Sequence, residues 1–336
     1  MEYMSGRRRF LGAVMGGRID RPSVGSTTSV VTVDLMDQTG IYFPDAHHDP
    51  EKMAQLAATS YTILGYDTIA PVFSVQQEAE ALGCRVNWGE KDSMPTLRKH
   101  PCHEPEDIKI PEDFLERPSC LIVLEAIKKL KVEYGSKAAI IGKVMGPWTL
   151  AYHLFGTEEF LIMTIDNPGK VKKILNILKE VTVLFGKAQA EAGADAITLA
   201  DHATGELCSP GCYRDFLMPI HTELVNRIPC PIVLHICGNT SDRIGYICET
   251  KVDCFHFDSR VLPKEAKKLA GKRISLMGNV NNPETLYTGS TEDIYQEVQD
   301  ALEAGIDIIG PECAVPLRTP SANLKAIADS VRRLTL

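Results

Sequence analysis

The sequence predicts a soluble (β/α)8 barrel, and three observations predict it. Eight short, β-rich apolar runs recur along the 336 residues. Most are separated by longer segments with helical spacing, which is the signature of βα units around a parallel sheet. Polar, metal-capable residues fall just after the later runs, where barrel enzymes build their sites.

The runs are Val24–Thr32, Asp67–Val72, Ala138–Val144, Ala196–Ala200, Ile232–Ile236, Cys254–Phe257, Ile274–Met277 and Ile306–Ile309. Between them, Pro168–Ala192, Ser209–Arg227 and Thr291–Ala304 carry helical patterns. Pro168 suits a first helical turn, where its missing N–H costs nothing, and Ser209 and Ser290 are N-cap signals. An open doubly wound sheet is the competing architecture, but no G-x-G-x-x-G follows the first strand. The whole chain, 1–336, is read as one barrel domain with two cap insertions. Residues 36–51 follow the first strand and are rich in Asp and His. Residues 83–117 carry Pro, charges and a short strand-like Arg85–Trp88. Both should lie over one end of the barrel.

The N-terminal Arg7-Arg8-Arg9-Phe10-Leu11 resembles a twin-arginine export signal. The apolar stretch that follows is broken at Arg18, Asp20 and Arg21, so the expectation is a short amphipathic helix with Leu11, Val14 and Met15 at helical spacing.

Composition excludes several classes of function. The net charge of -8 and the absence of a basic stripe argue against a nucleic-acid partner. No apolar run approaches the ~18 residues of a membrane span. The ten cysteines are dispersed through a long chain, which reads as free thiols in a reducing cytoplasm rather than a disulfide scaffold.

The sharpest constellation is His235-x-Cys237 with Cys313. Residues two apart in a strand point to the same side, so His235 and Cys237 can converge on one ion. Cys313 follows the eighth strand and its loop can reach inward. One imidazole and two thiolates suit Zn2+ with a fourth position left open for chemistry. The bland alternative makes the cysteines small core hydrophobes and His235 a hydrogen-bonded core histidine. Asp201-His202 after strand four, Asp258 closing strand six, Asn279 after strand seven and Glu312 beside Cys313 complete the polar ring. His100-x-Cys102-His103 and His47-His48 are read as solvated loop residues. Cys208 with Cys212, and Cys248 with Cys254, are read as packing.

These residues resemble a known family. The runs His235-Ile236-Cys237-Gly238-Asn239-Thr240, Met277-Gly278-Asn279-Val280 and Pro311-Glu312-Cys313 are similar to corrinoid-dependent methyltransferases of the uroporphyrinogen decarboxylase superfamily. The methylcobamide:coenzyme M methyltransferases of methanogens are the nearest in kind. Val33-Asp34-Leu35-Met36-Asp37-x-Thr39-Gly40, Asp45-Ala46-His47-x-Asp49-Pro50, Arg318-Thr319-Pro320 and Asn323 extend the resemblance over nearly the whole chain. It implies a TIM barrel with zinc on His235, Cys237 and Cys313, and a carboxylate at Asp258 that substrate can displace. The coenzyme M enzymes have Glu at that position, and the stretch Asp201–Glu206 also departs from their pattern.

The resemblance further implies methyl transfer between a corrinoid on a partner protein and a small substrate. A thiol such as coenzyme M is preferred. In the alternative, an O-demethylase takes methyl from a methoxylated aromatic to Co(I), with His202 or Glu206 protonating the leaving phenolate. A metal-independent tetrapyrrole decarboxylase, for which Arg7, Arg8 and Arg9 are on offer to hold carboxylates, has no need of paired thiols. A purely structural zinc would ordinarily have four protein ligands. A corrinoid-binding module lacks its D-x-H-x-x-G loop here. Asp201, His202, Glu206 and Asn279 are the candidate catalytic residues, and a homodimer is expected from fold analogy.

Overall fold

A computed structural model describes residues 4–335. Eight parallel strands form a nearly closed barrel, here numbered β1 (Ser23–Val24), β2 (Thr68–Ile69), β3 (Ala139–Met145), β4 (Ala196–Ala200), β5 (Ile232–Ile236), β6 (Cys254–Phe257), β7 (Ser275–Val280) and β8 (Ile308–Pro311). Strands β2 to β8 pair in chain order, and β8 pairs with β1. β4, β5 and β6 have the bounds expected from the sequence. β7 runs three residues further than expected, which places Asn279 inside the strand.

The first strand is much shorter than expected. Beyond Val24 the chain leaves the ladder, because side chains take over its hydrogen bonds. The Thr68 hydroxyl donates to the Ser26 carbonyl at 2.8 Å and accepts from the Ser26 N–H at 3.0 Å. Thr68 comes so near that a Cβ at Gly25 would stand 2.5 Å from its oxygen. The β1–β2 seam is completed by Asp67, whose N–H donates to the Val24 carbonyl at 2.6 Å and whose carboxylate accepts from the Val24 N–H at 2.9 Å. Backbone groups buried here are thus satisfied without a regular ladder.

The N-terminal helix exists, Gly6–Val14, with Val14 buried and Leu11 partly buried as expected, and Phe10 and Ala13 buried beside them. Phe10, Ala13 and Val14 point into the barrel, while Met15 is exposed. They join Ala139, Ile141, Ala196, Val233, Cys254, Met277 and Ile308 as an apolar floor. Because side chains alternate along a strand, residues two and four further on also point inward. Above the floor this brings in Lys143, Thr198, His235 and His256, and above those Cys237 and Asp258.

Arg9 leaves the same helix and is 1% exposed. It pairs with Asp20 at 2.6 Å and with Asp67 at 2.7 Å; Arg21 reaches the same Asp67 at 3.1 Å. The arginines are therefore plug residues on the N-terminal side of the barrel.

The expected helix Ser209–Arg227 is present but widens into a π-turn at Tyr213–Leu217 before resuming at Met218–Arg227. Pro219 has no N–H to return to Asp215, so the ordinary ladder cannot continue there. Segments 36–51 and 83–117 follow β1 and β2 and pack on each other. Trp88 contacts His47 and His48, and Lys91 pairs with Asp37 at 2.6 Å. Among the described residues no helix is long and apolar enough to cross a membrane. All ten cysteines are free thiols.

Asp67 carries both the plug and the seam, and removing it takes a carboxylate from Arg9 and from Arg21 and an acceptor from the Val24 N–H. Asp67→Ala is expected to cost on the order of 3 kcal/mol in urea-induced unfolding. A loss below about 1 kcal/mol, the worth of a surface pair, would show that Asp20 alone suffices for Arg9.

Candidate active site

Strands β5 and β8 bring three donors together at the C-terminal mouth. His235 Nε2 lies 3.1 Å from Cys237 Sγ and 3.3 Å from Cys313 Sγ, and the two sulfurs are 3.2 Å apart. Among the described residues these three form the one group of His, Cys, Asp and Glu with metal-site spacing. Tetrahedral zinc with bonds of about 2.0–2.3 Å requires ligand separations of roughly 3.5–3.8 Å, so a small outward movement admits the ion. His235 is buried, whereas both thiols are half-buried.

The imidazole is held ready for such a role. His235 Nδ1 faces the His256 carbonyl at 3.3 Å. A carbonyl only accepts, so Nδ1 carries the proton and Nε2 presents its lone pair to the thiols. His256 is fully buried, and burial pushes its pKa down to about 3. Its Nε2–H donates to the Pro311 carbonyl at 2.8 Å, and so steadies the strand end that carries Cys313. His256 was not singled out in the sequence, although its place between Cys254 and Asp258 marks an inward position.

The thiols are coupled. Hydrogen bonding from Cys237, helped by the nearby His235, holds Cys313 well below the usual thiol range. Cys237 is raised by the bond to Cys313 and by burial. Two thiolates this close cannot coexist without a cation between them. The donor set fits a borderline-soft divalent ion.

Asp258 stands beside this triangle, not in it. Its two oxygens accept from the Gly238 N–H at 2.8 Å and the Arg260 N–H at 3.0 Å. Glu312 behaves alike, accepting from the Ser259 N–H at 2.9 Å and the Asn282 N–H at 2.8 Å. Asn279 donates from Nδ2 to the Val261 carbonyl at 2.9 Å, tying β7 to the loop after β6. Glu206 is exposed and pairs with Arg260 at 2.5 Å, clasping the loops that follow β4 and β6.

Asp201 is fully buried. It accepts from the Thr149 N–H at 2.8 Å, the Thr149 hydroxyl at 3.1 Å and His221 Nε2 at 3.0 Å. Tyr213 bonds the far side of that imidazole at 3.0 Å. The Thr149 hydroxyl in turn accepts from the His202 N–H at 2.8 Å. Asp201 therefore reaches the site through the backbone of His202. Burial lowers the pKa of His202, with a further contribution from His235.

The other histidines divide. His48, His100 and His103 are exposed, as expected of loop residues, but His47 is 1% exposed. It stacks on Phe43 with ring centroids 4.2 Å apart and neither ring nitrogen has a partner. An apolar shelf from Phe43, Phe73 and Trp88 removes it from water, which its polar sequence surroundings do not reveal. Lys143, a single lysine in the run Ala139–Met145, was also passed over; it is 4% exposed.

Residues 5–334 match the family described as uroporphyrinogen decarboxylase (URO-D). The chain is 34% identical to a methylated-thiol–coenzyme M methyltransferase of Methanosarcina mazei, over 96% of this chain and 88% of that one. A methylcobamide:CoM methyltransferase of Methanosarcina barkeri is 34% identical over 96% of each chain. A solved structure of a methyltransferase from Methanosarcina mazei superposes with a TM-score of 0.96 at 32% identity, covering 99% of this chain and all of that one. The chain belongs to the uroporphyrinogen decarboxylase family and, within it, to the corrinoid-dependent methyltransferases.

Proposed function

We propose that this enzyme is zinc-dependent and moves a methyl group between a corrinoid carried by a partner protein and the sulfur of a small thiol of the coenzyme M kind. The observation that carries this reading is the triangle of His235, Cys237 and Cys313, with separations of 3.1–3.3 Å at the barrel mouth. When bound there, zinc supplies Lewis acidity that lets a thiol in its open position ionise near neutral pH.

The chain's own residues do the rest. His235, Cys237 and Cys313 hold the ion, and the His256 carbonyl fixes which imidazole nitrogen faces it. His202, whose imidazole burial holds below the usual histidine range, is the residue proposed to take the proton released by the thiol. Asp201, acting through Thr149, sets the backbone of His202. Asp258, Asn279 and the Glu206–Arg260 clasp shape the loops around the opening. Asp258 would have to give up the Gly238 N–H to become a fourth ligand, which suits a carboxylate that substrate displaces.

The corrinoid partner is proposed to dock on this same face. Leu207 and Leu262, on the loops after β4 and β6, are 43% and 67% exposed and offer it apolar contact. The methoxylated-aromatic alternative draws no support from the two curated relatives, both named for coenzyme M. Nor does a tetrapyrrole decarboxylase that holds carboxylates on Arg9, since that side chain is spent on Asp20 and Asp67 beneath the barrel floor.

Cys237→Ala and Cys313→Ala are each expected to lose zinc, measured by elemental analysis, and methyl transfer from free methylcobalamin to a thiol, while circular dichroism keeps the barrel signature. Wild-type turnover from a metal-free variant would overturn the assignment. His256→Phe frees the Pro311 carbonyl and should weaken zinc affinity by roughly 10-fold in chelator competition. Unchanged affinity would mean that His256 only fills space.

A further inference from the structure

The N-terminal end of the barrel, opposite the mouth, holds a cleft of about 590 Å³ under the starts of β6, β7 and β8 and against the end of the N-terminal helix. That volume suits a small molecule. Val14, Met15 and Ile274 supply an apolar wall, and Met15 is 62% exposed. The charged lining is Lys251, Lys267, Lys272 and Arg273 against Asp253 and Asp307, four cations to two carboxylates in a chain whose net charge is -8.

The fold does not use all of those cations. Every second strand is entered through the same seam: Asp67, Asp195, Asp253 and Asp307 each accept an N–H from the preceding strand, at 2.8–3.0 Å. Three of these carboxylates also pair with a cation: Asp67 with Arg9 and Arg21, Asp195 with Arg7 and Lys131, and Asp307 with Lys267. Asp253 has no such pair among the described residues, although Lys251 stands two residues away and Lys272 lines the same cleft. Neither lysine makes a side-chain hydrogen bond or ion pair among those residues. Arg273 is anchored through Nε and Nη2 to the Ala270 and Leu269 carbonyls, which leaves Nη1 for a ligand.

Lys251 is also held at a backbone cost. It follows the helix Ile244–Glu249 and its capping Thr250 with φ at +63°, the left-handed conformation that glycine adopts freely and a side chain resists. Among the described residues every other position with positive φ is glycine, Gly16 of this same cleft included. A lysine gains a little from the negative end of the helix, but glycine would close the helix with less strain. The strained residue is one whose charge stands unpaired at the cleft, which marks it as held for binding.

We infer that this cleft binds a small phosphorylated organic molecule, with its phosphate oxygens on Lys251, Lys272 and Arg273 and its carbon part against Val14 and Met15. Two ammonium groups and a guanidinium match a multiply charged oxyanion, whereas a single carboxylate would occupy only one of them. The site does not depend on the thiol reading, because it lies at the other end of the barrel from His235, Cys237 and Cys313.

Calorimetry on the zinc-loaded enzyme, at constant ionic strength and without magnesium, compares ADP with inorganic pyrophosphate as probes. Saturable binding of both is expected, ADP being tighter by several-fold because its nucleoside reaches the apolar wall. Lys272→Ala and Lys251→Gly should each weaken ADP binding by roughly 10-fold. Arg18→Gln, which removes an exposed cation from the turn beside the cleft, should leave it unchanged. Lys251→Gly relieves the left-handed turn, so its urea midpoint should hold or rise while binding falls, which separates lost binding from lost folding. ADP should also raise the melting temperature of the wild type and not that of Lys272→Ala. No saturable binding to the wild type, or equal weakening in Arg18→Gln, overturns the inference. So does binding that survives both lysine substitutions, which would put the anion on the zinc instead. Pyrophosphate binding as tightly as ADP would overturn the role given to Val14 and Met15.

Discussion

Two sulfur atoms 3.2 Å apart, each about as close to an imidazole nitrogen, set the terms for the whole upper half of this barrel. Both cannot be thiolates without a cation, and a protein interior cannot supply the screening that water would. Everything packed around them serves to hold that geometry. The His256 carbonyl orients His235, the His256 ring holds the Pro311 carbonyl, and Pro311 lies two residues before Cys313. The carboxylates of Asp258 and Glu312 accept backbone N–H groups from the adjoining loops. The site is therefore a rigid frame with its reactive side toward solvent.

The barrel interior is stratified to make this affordable. Its floor is apolar and is closed from below by Phe10, Ala13 and Val14 of the N-terminal helix. Polar side chains appear only above that layer. Buried charge on the opposite face is handled by direct pairing, as Arg9 with Asp20 and Asp67 shows. Lys143 differs: it is buried, and its backbone N–H and carbonyl bond to the Gln189 side chain.

Much of the architecture was legible because a parallel barrel imposes strong local signals. Strands β4, β5 and β6 are continuous apolar runs bounded by turns, and their limits follow directly from that contrast. β1 was overestimated because its apolar character continues through residues whose backbone is satisfied by Thr68 and Ser26 side chains, not by a ladder. The helix at 209–227 is legible from its cap and spacing, whereas its π-turn depends on where the Pro219 ring, lacking an N–H, falls within the helix. The N-terminal helix was recognised with Leu11 and Val14 inward, but Phe10 and Ala13 also go in and Met15 stays out, because a helix that plugs a barrel end buries its side chains by position and not by a single stripe.

The same division holds for the site. His235 and Cys237 share a strand face by simple alternation, and Cys313 follows an identifiable strand end, so the chemistry of the triangle was readable from residue type and spacing. Sequence alone determined the fold class, the donor atoms and the family. The tertiary structure decided which polar residues serve them. It turned Asp201 outward onto Thr149 and His221 of the surrounding helices, engaged Asp258 with backbone, buried His47 under Phe43 and Trp88, and buried Lys143 within the barrel. Those outcomes depend on contacts between segments up to hundreds of residues apart, and burial of a polar group is a property of its surroundings, not of its place in the chain.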